Sequence, residues 1–125
     1  MSAYDVKTVV LPVGAFTGAT IQPKLFFEAE GGDITVLDAQ IVGAAAGTSV
    51  GLILVTATDV GTPAVSGTVG AFGGTIVYAE GVVFECTIAT PTVDVSTSGV
   101  WLAVDQASGT APANTVLTVN YLRGK

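Results

Sequence analysis

The chain has no histidine, one cysteine and four basic side chains, and each shortage closes off a kind of chemistry. Without histidine there is no Ser-His or Cys-His nucleophile, and the commonest general base is missing. One cysteine and no histidine cannot furnish the nitrogen and sulfur ligands that zinc takes. Cys86 alone cannot close an intrachain disulfide. Lys7, Lys24, Arg123 and Lys125 are scattered among ten carboxylates, for a net charge of −6. The clustered cations that hold a phosphate backbone are therefore lacking, and no nucleic-acid partner is expected. Long apolar runs are also scarce. The strongest, Val50–Ala57, falls far short of the roughly 20 residues of a membrane-spanning helix, and the paired aromatic girdles of a membrane barrel are missing. Met1–Lys7 shows no basic run leading into an apolar core, so no signal peptide and no membrane partner are expected, and synthesis in a cytoplasm is.

What remains is apolar and small. Half of the 125 residues are hydrophobic and only 11% are charged, with a mean hydropathy of +0.69; an average soluble domain carries roughly 25% charge. A chain of this length fits one domain with a high ratio of surface to volume. Either its small residues (Ala, Gly, Val, Thr) inflate the score, or part of its apolar surface is covered by other subunits.

Val, Thr and Ile make up 43 residues, and β-branched side chains favour strands. Alternation with period two is clear in Leu37, Ala39 and Ile41, in Val82, Phe84, Cys86 and Ile88, and in Leu117, Val119 and Tyr121. Each run predicts a strand with one face in a core. Val50–Val55 is apolar on both faces and reads as a central strand covered on both sides. Breaks fall at Gly31-Gly32-Asp33, Gly43–Gly47, Asp59–Pro63, Glu80-Gly81, Thr90–Gly99 and Asp105–Pro112. Glu80-Gly81 is placed as a tight hairpin turn between Thr75–Ala79 and Val82–Ala89. The expected fold is all-β: a single-domain antiparallel β-sandwich, jelly-roll-like, of about eight strands. Residues 1–18 form either an extended arm that adds to a neighbouring subunit or an edge strand of the same domain. The sandwich occupies residues 19–125.

Candidate sites are few. Cys86 falls on a core face and reads as an inert thiol. Glu28, Glu30 and Asp33 cluster at a turn, where they are solvated acids, ligands of a hard cation such as Ca²⁺, or a glycosidase-like pair. In Val100–Asp105, Trp101 shares a face with Ala103 and Asp105, opposite Val100, Leu102 and Val104. It is either core or a contact anchor. The candidate protein-interface residues are Val9, Val10, Leu11 and Val13 of the N-terminal segment, together with Trp101. No catalytic residue, metal site or cofactor is expected.

Gly99–Ala113, followed by Asn114–Tyr121, resembles the closing strands of small tailed-phage virion proteins, and Ile34–Ala57 is similar to the opening of such sandwiches. The resemblance spans roughly residues 20–122 and is one of sequence style. It implies a jelly-roll capsid decoration (cement) protein on the outer capsid surface, oligomeric and often trimeric, clamping major capsid subunits without enzymatic activity. Its partners would be the major capsid protein and copies of itself. The competing expectation is a carbohydrate- or receptor-binding module of a tail fibre, using Trp101 or Tyr78 as a stacking platform. An enzyme acting through Glu28, Glu30 or Asp33 is the third.

Overall fold

The β-branched runs form strands throughout, and no helix occurs among the described residues of the computed structural model, 6–29, 32–95 and 98–123. The strands are β1 (Val6–Pro12), β2 (Phe16–Thr17), β3 (Thr20–Phe27), β4 (Asp33–Val42), β5 (Gly47–Ala57) and β6 (Val65–Tyr78). They continue with β7 (Val83–Glu85), β8 (Thr87–Ile88), β9 (Thr92–Asp94), β10 (Val100–Gln106), β11 (Ser108–Ala111) and β12 (Val116–Arg123). All pairings are antiparallel.

These twelve pieces reduce to the eight expected runs. β2 and β3 follow one another along β11 and β10, β10 and β11 follow one another along β5, and β7 and β9 both lie along β4. Counted that way, one sheet has the order first, eighth, third, sixth run (β1, β12, β4, β7/β9). The other has second, seventh, fourth, fifth (β2/β3, β10/β11, β5, β6). Every connection except the β5–β6 hairpin crosses between the sheets. That double winding is the jelly roll, a closed way of wrapping two antiparallel sheets around one core. The segment holding Val9 and Val10 lies along β12 in continuous register from Val6↔Leu122 to Pro12↔Val116.

The main core is the alternate residues of both sheets. Ile34, Val36, Ala39, Ile41, Leu117 and Val119 come from the first sheet, and Leu52, Leu54, Ile76, Leu102 and Val104 from the second. Each is at most 1% exposed, which is the physical content of the period-two pattern.

Three local expectations are corrected. Leu37 does not share the core face with Ala39 and Ile41. The register steps from Asn120↔Asp38 to Tyr121↔Val36, so Leu37 is the extra residue of a β-bulge and is 43% exposed. Glu80-Gly81 makes a turn but not a hairpin. The Val82 N–H donates to the Ala79 carbonyl at 3.1 Å, and β7 then pairs with β4 in the other sheet. The run Val82–Ala89 also changes sheets within itself. The Cys86 N–H donates to Ala39 O on the first sheet, and the Ala89 N–H to Val69 O on the second, each at 2.8–2.9 Å. Phe84, Cys86 and Ile88 join the core, while Val82 stays exposed at the turn.

Two glycines let β10/β11 follow β5 through a bend. Gly51 has φ +65°, and the facing changes across it, with Val50 exposed and Leu52 buried. Gly109 has φ +104°, and a Cβ there would run into the Thr48 carbonyl. Gln106 braces the same bend, its Nε2 donating to the carbonyls of Gly18 and Gly109 at 3.0 Å each.

Candidate functional site

The two outer faces of the sandwich differ in chemistry. On the first sheet, residues opposite one another share a face, and the outward positions form polar ladders. Thr8 Oγ1 donates to Asn120 Oδ1 at 2.5 Å, and Asn120 Nδ2 donates to Asp38 Oδ1 at 2.6 Å. Gln40 Nε2 donates to Glu85 Oε2 at 2.9 Å. Asp33 stands opposite Asp94 at the end of the same sheet. Polar rows of this kind are what an antiparallel sheet turned to water should show, and they are flanked by an outward apolar row of Pro12, Val116, Val42 and Val83.

The outer face of the second sheet is apolar over β3, β10 and the adjoining end of β5, while Thr17, Thr110 and Thr48 form an outward row at its other end, with Thr17 Oγ1 donating to Thr110 Oγ1 at 3.4 Å. Across β3, β10 and β5 its positions form three rows: Phe26, Trp101 and Ala57; Pro23, Ala103 and Val55; Ile21, Asp105 and Ile53. Val55, Ala57 and Ala103 are fully buried there, packed with Ile21, Ile53 and Trp101 as a cluster separate from the main core. Trp101 and Phe26 meet with ring centroids 5.1 Å apart at 50°, and Phe26 remains 46% exposed. The loop after β5 leans toward this face. Its Pro63 lines a depression of about 400 Å³ with Ala19, Thr20, Ile21 and Asp105. Burial pushes the Asp105 carboxyl above the usual carboxylate range. Asp105 forms no ion pair or hydrogen bond with any described side chain. The Asp59 carboxylate in the same loop is held below its usual range by the N–H groups of Gly61 and Val60.

Trp101 therefore points away from the main core, at the rim of the apolar outer face. The N-terminal candidates divide. Leu11 packs against the main core and Val13 lies within it, 7% exposed. Val9 is half-buried, and Val10 faces outward with Val6 beside it, 62% and 63% exposed. Val6 was not among the candidates, although alternation with Val10 would have placed it.

Of the turn acids, Glu30 lies outside the described residues. The Glu28 carbonyl accepts from Arg123 Nη2 at 3.2 Å. Among the described residues no three His, Cys, Asp or Glu side chains gather as a metal site. Tyr78 cannot serve as a stacking platform. It is 1% exposed, its hydroxyl hydrogen-bonded to Ser49 Oγ at 2.9 Å. Cys86 is buried, and burial pushes its thiol up to about 11. A second cleft of about 350 Å³ at one end of the sandwich is lined by hydroxyls, among them Thr56, Ser66, Thr68, Thr90 and Thr92, with Asp94 as its one ionisable side chain. Thr56 Oγ1 and Ser66 Oγ bond each other at 2.9 Å.

Fold and faces together define an eight-run jelly-roll domain with polar ladders on one outer surface and an apolar patch around Trp101 on the other. No family model and no curated protein matches the chain. Among solved structures, it is similar to a chain of the cyanophage Pam1 capsid asymmetric unit, with a TM-score of 0.58 and 16% identity over 98% of this chain and 87% of that one. Weaker likenesses are to chains in the structure of infectious bursal disease virus, Gx strain (TM-score 0.43, 13% identity), and in a T13 particle of that virus (TM-score 0.47, 12% identity). This chain spans 37% and 34% of those two. The Pam1 likeness bears on the fold: nearly the whole chain has the shape of a viral capsid chain.

Proposed function

We propose that this chain is a non-enzymatic virion structural protein that decorates the outer surface of a phage capsid. The outer face of its second sheet seats on the major capsid protein, and the carboxylate-bearing first sheet faces water. The observation that carries the reading is the contrast between the two faces of a capsid-type jelly roll. One is laddered with Thr8, Asn120, Asp38, Gln40 and Glu85. The other offers Phe26, Trp101, Ile21 and Ile53 around a single carboxylate. Apolar area removed from water stabilises by roughly 25 cal/mol per Å², less the cost of association, so such a protein works by contact area repeated by symmetry. An acidic outward face suits the exterior of a DNA-filled shell. Copies of the chain would meet one another around a symmetry axis, with the β1 edge and its outward Val6 and Val10 as the contact between them.

The experiment is quantitative mass spectrometry of density-purified particles from the source culture. A copy number equal to that of the major capsid protein, or a simple fraction of it, is the expected result. A few copies per particle would move the chain to a tail, neck or vertex. Absence from particles would overturn the reading and favour a binding module using the Trp101–Phe26 pair.

A further inference from the structure

Asp105 is the one ionisable group in the three rows of the apolar face, flanked in register by Ile21 on β3 and Ile53 on β5. The depression it lines has Ile21 and Pro63 as apolar walls and a volume of about 400 Å³. That is at the low end of small-molecule sites, roughly 300–1,000 Å³, but roomy for one long side chain. Lys24, the nearest cation along β3, is skipped at the bulge where the register passes from Leu25 to Pro23, and it makes no ion pair with Asp105. A wholly apolar partner closing over this face would strip the carboxylate of its remaining water and return nothing. A partner with a cation at this point would satisfy it, and the stem of a lysine or arginine would cover the apolar walls.

We propose that the depression between Ile21, Pro63 and Asp105 seats one basic side chain of the protein on which the second sheet docks. Its aliphatic stem lies against Ile21 and Pro63, and its ammonium or guanidinium on the Asp105 carboxylate. That the docking protein is a capsid subunit rests on the reading above; the chemistry of the pocket does not. The partner is taken as a different protein rather than a second copy because this chain carries four basic side chains against ten acidic ones, so two copies meet with like charge in excess.

The test has two arms. In the first, particles stripped of this protein are titrated with the purified wild-type chain and with Asp105→Asn, and the thermal unfolding of both chains is measured alongside. The variant should bind roughly ten-fold more weakly and with less dependence on salt, while melting at or above the wild type at neutral pH. A merely structural Asp105 would instead lower the melting temperature. In the second arm, n-butylguanidinium is titrated into the isotopically labelled chain. The amides of Ala19, Thr20, Ile21 and Asp105 should shift in the wild type and stay still in Asp105→Asn.

Equal binding of both chains to particles would overturn the proposal and leave the capsid reading standing. No binding to particles, with butylguanidinium shifting those amides, would overturn the capsid reading and keep the pocket for another protein. Silence in both arms would overturn both. Self-association of the wild type that Asp105→Asn abolishes would overturn the assignment to a different protein.

Discussion

Tyr78 and Ser49 form a hydrogen-bonded pair sealed inside the sandwich, 1% and 0% exposed and 2.9 Å apart. The ring lies edge-on to Phe84, centroids 6.0 Å apart at 80°, and against Gly43, where a Cβ would fall 2.9 Å from Tyr78 Cδ1. Neither hydroxyl has another partner in place and neither can turn to water. Tyr78→Phe keeps the packing but strands Ser49 Oγ. Ser49→Ala strands the phenol. Each should cost about 2 kcal/mol, the lost bond together with a buried polar atom left unsatisfied. Ser49→Ala/Tyr78→Phe removes both polar atoms, so its cost should fall to about 1 kcal/mol or less. The expected coupling is therefore about 3 kcal/mol, at the upper end for neighbours. Urea unfolding at pH 7, with the slope unchanged across the four proteins, measures it. In thermal scans each single variant should lose roughly 6–10 °C, at about 3–5 °C per kcal/mol for a chain of this size. The reasoning is refuted if the double variant loses the sum of the two singles, since the pair would then not be sealed from water. Burial also raises the Tyr78 phenol above its usual range. The folded state thus holds this proton more tightly than the unfolded one. The corresponding stability is complete below the unfolded pKa near 10 and is lost as pH rises through the folded value, a loss that Tyr78→Phe removes.

Asp105 gives the acid-side counterpart. Its carboxyl is raised by burial, so stability should increase as pH falls from the folded pKa toward the unfolded one. Asp105→Asn should melt slightly higher than wild type at pH 7, and the difference should vanish below about pH 4. Cys86, with its thiol near 11, should be about one ten-thousandth thiolate at pH 7. A disulfide reagent such as DTNB should leave it untouched in the native chain and label it fully in urea. Gly109→Ala combines φ +104° with a clash on the Thr48 carbonyl. It should cost about 2 kcal/mol or more in urea unfolding, whereas Gly74→Ala, with nothing within 4 Å of the added carbon, should cost far less.

Period-two alternation is a strong signal because it is set by the pleat itself, and it located the core faces of Ala39 and Ile41, of Leu117 and Val119, and of Leu102 and Val104. It is blind to two things. A bulge inserts one residue and resets the phase, which is why Leu37 left the core while Val36 and Ala39 on either side stayed in it. Turn chemistry shows that the chain reverses but not which sheet receives it, so Glu80-Gly81 read as a hairpin although β7 crosses to β4. The amino-terminal half of β6, Val65–Gly70, went unrecognised because its glycines mimic a loop. Gly70 is needed there, since a Cβ would sit 2.8 Å from Cys86 Sγ where β8 crosses. For the outer face, alternation grouped Trp101 with Ala103 and Asp105. It could not tell that Phe26, Ile21 and Ile53 would stand beside them, because those neighbours come from strands whose register is set by the fold as a whole.

A jelly roll by itself does not select a function, since the architecture serves capsids and lectins alike. What selects among them is what its two outer faces carry. In a sandwich standing alone in water, both should be polar. The first sheet obeys in its middle rows, where side-chain ladders join β1, β12, β4 and β7, although Val6, Val10 and Val83 also face outward. Part of the second does not: of the nine positions in the three rows across β3, β10 and β5, only Asp105 is polar, while Thr17, Thr110 and Thr48 make a polar row at the other end. Packing by Ile21, Ile53 and Trp101 accounts for part of this by helping to bury Val55, Ala57 and Ala103. It does not account for Phe26, left 46% exposed beside Trp101. An aromatic pair at the rim of an apolar face, with a lone carboxylate in its last row, has the composition of a contact centre in which large rings supply area and one charge supplies register. The carboxylate is also the feature that least suits an apolar patch, since burial raises its pKa and no described side chain pairs with it. A half-buried carboxylate amid apolar rows is what a cation on a partner would satisfy, and on that ground, together with the exposed Phe26, the second sheet is proposed as the docking face.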